Sequence, residues 1–178
     1  MLKHLLFILI FFVSIVMGTF AESVKIKSFT LELPGGFTGP IRQSAGPTEM
    51  WAFSKSHESS ETNSLIQFSI INLDEASADD PVRPPTVTNK DLLLKMLAGI
   101  ERRRTDFWKG NYKEIKLAGI PANKIEWSGS VENFKMKGVY YTFIYERFLY
   151  AISLQDIMPF ADDHLPLMQK SIELIKKR

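Results

Sequence analysis

The sequence predicts an α+β domain in which an antiparallel sheet of about six or seven strands is flanked by helices. Several short segments alternate apolar and polar residues, as strands with one dry face do. Two longer segments repeat apolar residues every three to four positions, as amphipathic helices do. The segment from Val139 to Tyr145 is apolar on one face and mixed on the other. A sheet with such a strand needs cover on both faces, and the two helices can supply it.

The chain begins with a segment that has the order of a signal peptide. Lys3 supplies a positive start, residues 5–16 form an almost unbroken apolar run, and small residues follow at both positions that a signal peptidase reads. We predict a signal peptide over residues 1–21 and a periplasmic or secreted product that begins at Glu22. An uncleaved anchor is the alternative, because residues 5–21 are just long enough to span a bilayer.

The composition of residues 22–178 fits one domain held together by its own core. The segment is within the usual size of a single domain and too short for two comfortable ones. It contains no cysteine, which excludes disulfides, thiol nucleophiles and thiolate metal sites. The formal charge of the whole chain is only +2, and no basic stripe is present. We therefore expect no nucleic-acid partner.

The first half of this domain contains three predicted strands and one loop. Alternation predicts strands from Phe29 to Leu33, from Glu49 to Lys55 and from Ser64 to Asn72. Pro34 and the two glycines after it end the first of these strands. Residues 74–88 are acidic and then proline-rich, so we predict a mobile surface loop there.

A helix is predicted to begin after Thr88 and to end near Gly110. Thr88 and Asp91, three residues later, have the spacing of a capping box. The helical spacing is carried by six apolar residues: Leu92, Leu93, Met96, Leu97, Ile100 and Phe107.

The second half is rich in strands and closes with a helix. The predicted strands run from Tyr112 to Leu117, from Asn123 to Ser128, from Lys137 to Tyr145 and from Phe148 to Leu154. The closing helix is predicted to begin at Asp162 or Asp163 and to end in the basic residues 176–178, which complement a helix C-terminus. Its apolar stripe is formed by Leu165, Met168, Ile172 and Ile175.

Two short motifs and the order of these elements resemble a known fold. The first strand ends in Leu-Pro-Gly-Gly-Phe at residues 33–37, and a Gly-Ile-Pro-Ala turn follows the first helix at residues 119–122. Together with the aromatic hairpin and the closing helix, they resemble the PsbP/Mog-like fold family over residues 29–177. That family includes photosystem II extrinsic subunits, a Ran-binding protein and bacterial envelope proteins of unassigned role. The resemblance implies one such domain over residues 22–178 and a non-enzymatic accessory role, and it carries over no functional residue.

The sequence contains no catalytic motif that we can interpret. Residues 22–178 hold two histidines, His57 and His164, and neither belongs to a zinc-protease pattern. Ser56, His57 and Glu58 look like a triad, but neighbouring side chains point apart, and we interpret them as a polar turn. Four acidic residues could offer oxygens to a cation, but they lack the spacing of a calcium loop: Asp74, Glu75, Asp79 and Asp80. We predict no enzyme activity, no metal and no cofactor.

A possible interaction surface is predicted from basic and aromatic residues. Arg102, Arg103 and Arg104 form the densest basic cluster, and Trp108 and Tyr140 are aromatic residues with polar neighbours. Two explanations of the arginines stay open. They complement the helix dipole and add solubility, or they contact an acidic partner or anionic lipid.

These observations predict an exported, non-enzymatic accessory or binding protein of the cell envelope that acts through protein–protein contact. We expect a monomer with a protein partner and a weak contact with anionic membrane surfaces. A carrier of a small apolar ligand is one alternative, and it requires a continuous apolar cavity. A small hydrolase with an unrecognised site is the other, and it requires a paired carboxylate or a buried histidine in a deep pocket.

Overall fold

The structure is a computed structural model that describes residues 20–78 and 88–178. Its helices are α1 (Leu73–Ala78), α2 (Asn89–Glu101) and α3 (Ala161–Glu173). Its strands are β1 (Phe20–Ile26), β2 (Phe29–Pro34), β3 (Thr38–Ala45), β4 (Thr48–Ser56), β5 (Asn63–Asn72), β6 (Thr105–Lys109), β7 (Lys113–Leu117), β8 (Ile120–Val131), β9 (Phe134–Tyr145), β10 (Phe148–Ile157) and β11 (Lys176–Lys177).

The predicted signal peptide lies almost wholly outside the described residues. Of residues 1–21, only Phe20 and Ala21 are described, and they are the first two residues of β1. Within residues 20–78 and 88–178, no helix is long and apolar enough to cross a bilayer.

The strands form two antiparallel sheets. The main sheet has the order β3-β4-β5-β10-β9-β8-β6, with β7 pairing beside β6 along β8. The smaller sheet has the order β1-β2-β11. The predicted α+β class and antiparallel sheet are confirmed. The main sheet holds eight strands instead of six or seven, and the three-stranded sheet was not predicted.

Both faces of the main sheet are covered, as the pattern of β9 predicts. On what we call the α3 face, α3 and β2 pack over Val139, Tyr141 and Phe143. On the opposite side, the α2 face, α2 packs over Tyr140 and Trp127 through Leu93 and Leu97. Odd and even residues of one strand therefore belong to two separate apolar clusters.

The first long helix begins as predicted but ends well before Gly110. The capping box between Thr88 and Asp91 is present, with both reciprocal hydrogen bonds formed. The helix then stops at Glu101, and the chain enters β6 after a short turn. Phe107 had suggested a longer helix, but it lies in β6, where its ring stacks on Trp127 at a centroid distance of 6.2 Å.

Two smaller expectations were wrong, and a third falls on residues that the structure does not describe. Residues 73–78 form the helix α1 where a loop was predicted, and Asp74 pairs with Arg147 at 3.1 Å. Residues 79–87, with Asp79 and Asp80, lie outside the described part of the chain. The closing helix ends at Glu173, and Lys176 and Lys177 pair with β2 as a short strand instead of capping the helix.

Candidate functional site

A buried polar cluster joins four elements at one end of the main sheet. His57 directly follows β4, Ser64 lies in β5, Asp156 lies in β10 and His164 lies in α3. Asp156 and Ser64 are fully buried, and the side chains of His57 and His164 are 2% and 16% exposed. We call these four residues the polar cluster. Its members come from two stretches of the chain about a hundred residues apart, and the fold brings them together. Each buried polar side chain then finds a hydrogen-bond partner within the polar cluster.

The carboxylate of Asp156 is the centre of the polar cluster. Its Oδ1 accepts hydrogen bonds from Nε2 of His57 and from the backbone N–H of Ile157, both at 2.8 Å. Its Oδ2 accepts from Oγ of Ser64 at 2.7 Å and from Nδ1 of His164 at 2.9 Å. Four donors therefore replace the water that this carboxylate loses on burial.

The contacts of His164 differ from those of a catalytic triad. Nζ of Lys55 lies 3.3 Å from Nε2 of His164, so this nitrogen accepts and Nδ1 carries the proton. Oγ of Ser64 lies 2.9 Å from that same Nδ1. In a serine triad the serine and the carboxylate contact opposite nitrogens of the imidazole. Here they share one nitrogen, and Ser64 directs its own proton to Asp156, so the histidine cannot relay a proton between them.

The donor set of the polar cluster also suits hydrogen bonding better than metal binding. Ligand atoms of His57, Asp156 and His164 lie within 4.8 Å of one another. A metal would require the histidine nitrogens that face Asp156 to lose their protons. For His164 the proton would have to move to Nε2, where the Lys55 ammonium already lies. We therefore interpret the polar cluster as a network that fastens β5, β10 and α3 to the end of β4.

His57 begins the predicted polar turn, since its carbonyl accepts from the N–H of Ser60 at 3.3 Å, but its ring is buried instead of solvated. Its ring stacks on Phe160 at 4.0 Å with an interplanar angle of 8° and lies parallel to the ring of His164. Its sequence neighbours Ser56 and Glu58 are exposed and take no part in the polar cluster. The fold brings the two histidines of the domain together on the carboxylate of Asp156.

The residues predicted as an interaction surface separate into exposed and buried ones. Arg102 and Arg103 are exposed in the turn that follows α2, and Trp108 is 57% exposed in β6. Arg104 is partly buried: its guanidinium lies 4.5 Å from the Trp127 ring and donates to the carbonyl of Ile100 at 3.2 Å. Arg104 therefore belongs to the packing of the α2 face.

Tyr140 was expected at the surface, but it is buried. It lies on the face of β9 that α2 covers, and its hydroxyl donates to Sδ of Met96 at 3.4 Å. Burial raises the pKa of Tyr140 from 10 to about 12, because the phenolate would lose its water. Alternation along β9 places Tyr140 on the side opposite Val139 and Tyr141, and α2 covers that side.

This shift in the Tyr140 pKa predicts an alkaline loss of stability. The neutral phenol is favoured in the folded state, so its contribution is complete below pH 10 and is lost as the pH rises to about 12. The expected loss is about 2–3 kcal/mol in the free energy of unfolding. Urea unfolding of the wild type and of Tyr140→Phe between pH 9 and pH 12 measures it. Equal pH dependence of the two proteins would show that Tyr140 does not cause the loss.

Trp108 lies between two open grooves on the α3 face, near the β6 edge of the main sheet. It pairs with Ser128 of β8, and its indole lies against Gly110. One groove, of about 240 Å³, is bordered by Gly110, Asn111, Lys113, Lys124 and Glu126. The other, of about 280 Å³, is bordered by Ser128, Lys137, Val139, Leu165 and Gln169. We call Trp108 and these two grooves the Trp108 patch.

The rim of the Trp108 patch carries charges of both signs. Lys137 pairs with Asp162 at 2.7 Å, Lys113 lies 3.9 Å from Glu126, and Nζ of Lys124 donates to Gln169 at 2.5 Å. The patch therefore combines an exposed indole with a polar rim, which is the usual arrangement of a protein-binding surface.

The fold is shared with solved structures of distant sequence. A protein of unknown function from Pseudomonas aeruginosa, PA94, described as a putative regulator, is 12% identical with a TM-score of 0.54, and the match covers 88% of this chain and 96% of that one. Cyanobacterial PsbP (CyanoP) from Synechocystis is 9% identical with a TM-score of 0.59, over 88% of this chain and 92% of that one. LpqN of Mycobacterium tuberculosis, described as involved in cell envelope biogenesis, is 11% identical with a TM-score of 0.59, over 83% and 82%.

These comparisons assign the domain to a structural class by its fold alone. The chain has a PsbP-like fold, so the resemblance in the sequence is confirmed at the level of the fold. No protein-family model matches the sequence, and no curated protein matches it.

Proposed function

We propose that this protein is an exported accessory protein of the cell envelope that binds another protein and catalyses no reaction. The N-terminal segment supports export, and the fold shared with LpqN supports a place in the envelope. The observation that carries the proposal is the Trp108 patch.

Trp108 is not part of the core of the domain. Of the three tryptophans, Trp51 and Trp127 are buried, and Trp108 leaves more than half of its surface in water. An indole in this position offers a large rigid apolar contact, and tryptophan is enriched among the residues that carry most of the energy of protein interfaces. Lysines and carboxylates around it provide the polar rim that would orient a polypeptide partner.

The two alternative functions have less support. A carrier needs an apolar cavity, but the two grooves beside Trp108 are open and bordered by lysines and a glutamate. Between the sheet and α3, the space is filled by core side chains such as Tyr141 and Met168. A hydrolase would be favoured by a buried histidine, and His57 is buried. The serine beside the two histidines is not an accessible nucleophile, however, because Ser64 is fully buried and donates its proton to Asp156.

Affinity capture from intact cells tests the proposal. Cells that produce tagged wild type, Trp108→Ser or Ile41→Ser are cross-linked before lysis, and the captured proteins are compared. Ile41 is a matched control because it is 65% exposed in β3, at the opposite edge of the same sheet. We expect one partner to be captured by the wild type and by Ile41→Ser, and at least about tenfold less of it by Trp108→Ser.

Both substitutions are expected to leave the fold intact, since exposed changes alter stability by only about 0.5 kcal/mol. Capture of the same partner at the same level by all three proteins would contradict binding through the Trp108 patch. Turnover of a substrate by the purified protein would contradict the absence of catalysis.

A further inference from the structure

We propose that the outer side of α2 and the turn after it dock on an anionic membrane surface. We call this surface the basic face and define it by Lys90, Leu94, Lys95, Arg102 and Arg103. It lies on the α2 face of the main sheet, whereas the Trp108 patch lies on the α3 face. The proposal therefore concerns a second surface and does not depend on the protein partner.

The distribution of charge along the chain favours this side of the molecule. Residues 89–117, which contain α2, β6 and β7, hold eight basic and four acidic residues, a net charge of +4. Residues 22–88 hold five basic and nine acidic residues, a net charge of −4. The small total charge thus conceals an excess of positive charge in the stretch of chain that contains the basic face.

Three of the four cations of the basic face make no ion pair with the described residues, and the fourth, Lys90, lies beside Asp91 with its Nζ 4.3 Å from the centre of the Tyr112 ring. Seven other lysines and arginines each lie within 4 Å of a carboxylate: Lys27, Lys109, Lys113, Lys124, Lys137, Arg147 and Lys176. Among the described residues, Lys95, Arg102 and Arg103 have no such contact.

Both acidic residues of α2 are already engaged. Thr88 holds the carboxylate of Asp91 in the capping box, and Lys109 contacts that of Glu101 at 3.3 Å. The helix dipole can account for Arg102 and Arg103 at the C-terminus of α2. It does not account for Lys95, which lies in the middle of the helix.

The shape of the basic face suits a plane of lipid headgroups. Lys95 and Arg102 are seven residues apart and therefore share the outward side of α2, with Leu94 beside them at 39% exposure. Lys95 and Arg102 lie along the outer side of a helix about 20 Å long, and Lys90, at its start, borders an open groove of about 520 Å³. Leu94 adds one exposed apolar side chain beside these cations, whereas the apolar stripe of α2, with Leu93 and Leu97, packs on the sheet.

Vesicle binding tests this proposal. The exported product is mixed with vesicles of phosphatidylcholine, with or without 30% phosphatidylglycerol, at about 50 mM and 300 mM salt. We expect binding only to the anionic vesicles, weakened at the higher salt. Replacing Lys95, Arg102 and Arg103 with serine should lower the partition coefficient at least about tenfold, because each cation near an anionic surface favours binding.

A second triple variant provides the matched control. Lys25, Lys135 and Lys177 are exposed cations outside the basic face, and their replacement with serine removes the same charge. This control and Trp108→Ser should bind anionic vesicles as the wild type does. A retained N-terminal segment would be common to all variants, so it cannot cause a difference between them.

Two results would overturn the proposal. One is equal partitioning of the wild type into neutral and anionic vesicles. The other is an equal loss of binding in the two triple variants, which would mean that net charge, and not the basic face, determines binding. Loss of the captured partner by Trp108→Ser with unchanged vesicle binding would show that the two surfaces act independently.

Discussion

Replacing Asp156 with alanine should lower the free energy of unfolding by about 3–5 kcal/mol, because it removes the acceptor from a buried charged network. Four donors then lose their partner inside the domain: Nε2 of His57, the N–H of Ile157, Oγ of Ser64 and Nδ1 of His164. A buried donor without an acceptor costs about 1–3 kcal/mol. The donors come from the end of β4, β5, β10 and α3, so the loss should affect the whole domain and not one strand.

Urea unfolding of the variant and the wild type measures this loss. Asp163→Ala is the control, because Asp163 is an exposed carboxylate in the first turn of α3. It should cost less than about 1 kcal/mol, from its interaction with the helix dipole. If Asp156→Ala costs no more than this control, the polar cluster does not hold the fold together, and its residues would have to be reconsidered as a functional site.

Replacing Trp127 with alanine should cost about 3–5 kcal/mol through lost burial and a cavity. The side chain is 1% exposed, and Phe107 and Arg104 pack on its ring. The ring also crosses β9 at Gly138, where any side chain would collide with the indole. Gly138 of the neighbouring strand therefore offers no side chain to occupy the space that the indole leaves.

Thermal or urea unfolding of Trp127→Ala and of Trp108→Ala compares a buried with an exposed indole. The second substitution should change the free energy of unfolding by no more than about 0.5 kcal/mol. Similar losses in the two variants would contradict the assignment of Trp127 to the core and of Trp108 to the surface.

Much of the fold follows from residue patterns that depend only on the nearest neighbours in the chain. Alternation in Val139–Tyr145 predicted a strand with two covered faces, and the structure places Tyr141 and Tyr140 in separate clusters. The capping box at Thr88 predicted the start of α2. These signals are local, because side-chain direction repeats every two residues in a strand and every three to four in a helix.

The errors arose where a residue's environment is set by distant parts of the chain. Phe107 has helical spacing from Ile100, yet its contact with Trp127 places it in a strand. Residues 38–45 lack alternation because β3 is an edge strand with little burial on either side. The polar cluster had no signal in the sequence, since His57 and Asp156 are 99 residues apart. Of the predicted surface, Arg102, Arg103 and Trp108 are exposed, and Tyr140 is not.

Site-specific photo-cross-linking in living cells tests the proposed function most directly. A photoreactive phenylalanine derivative replaces Trp108 in one protein and Ile41 in another, and both are irradiated in intact cells. Position 108 should give one discrete adduct with a partner protein of the envelope, and position 41 should not. Adducts of the same pattern from both positions, or none from position 108, would contradict a role for the Trp108 patch in binding a protein.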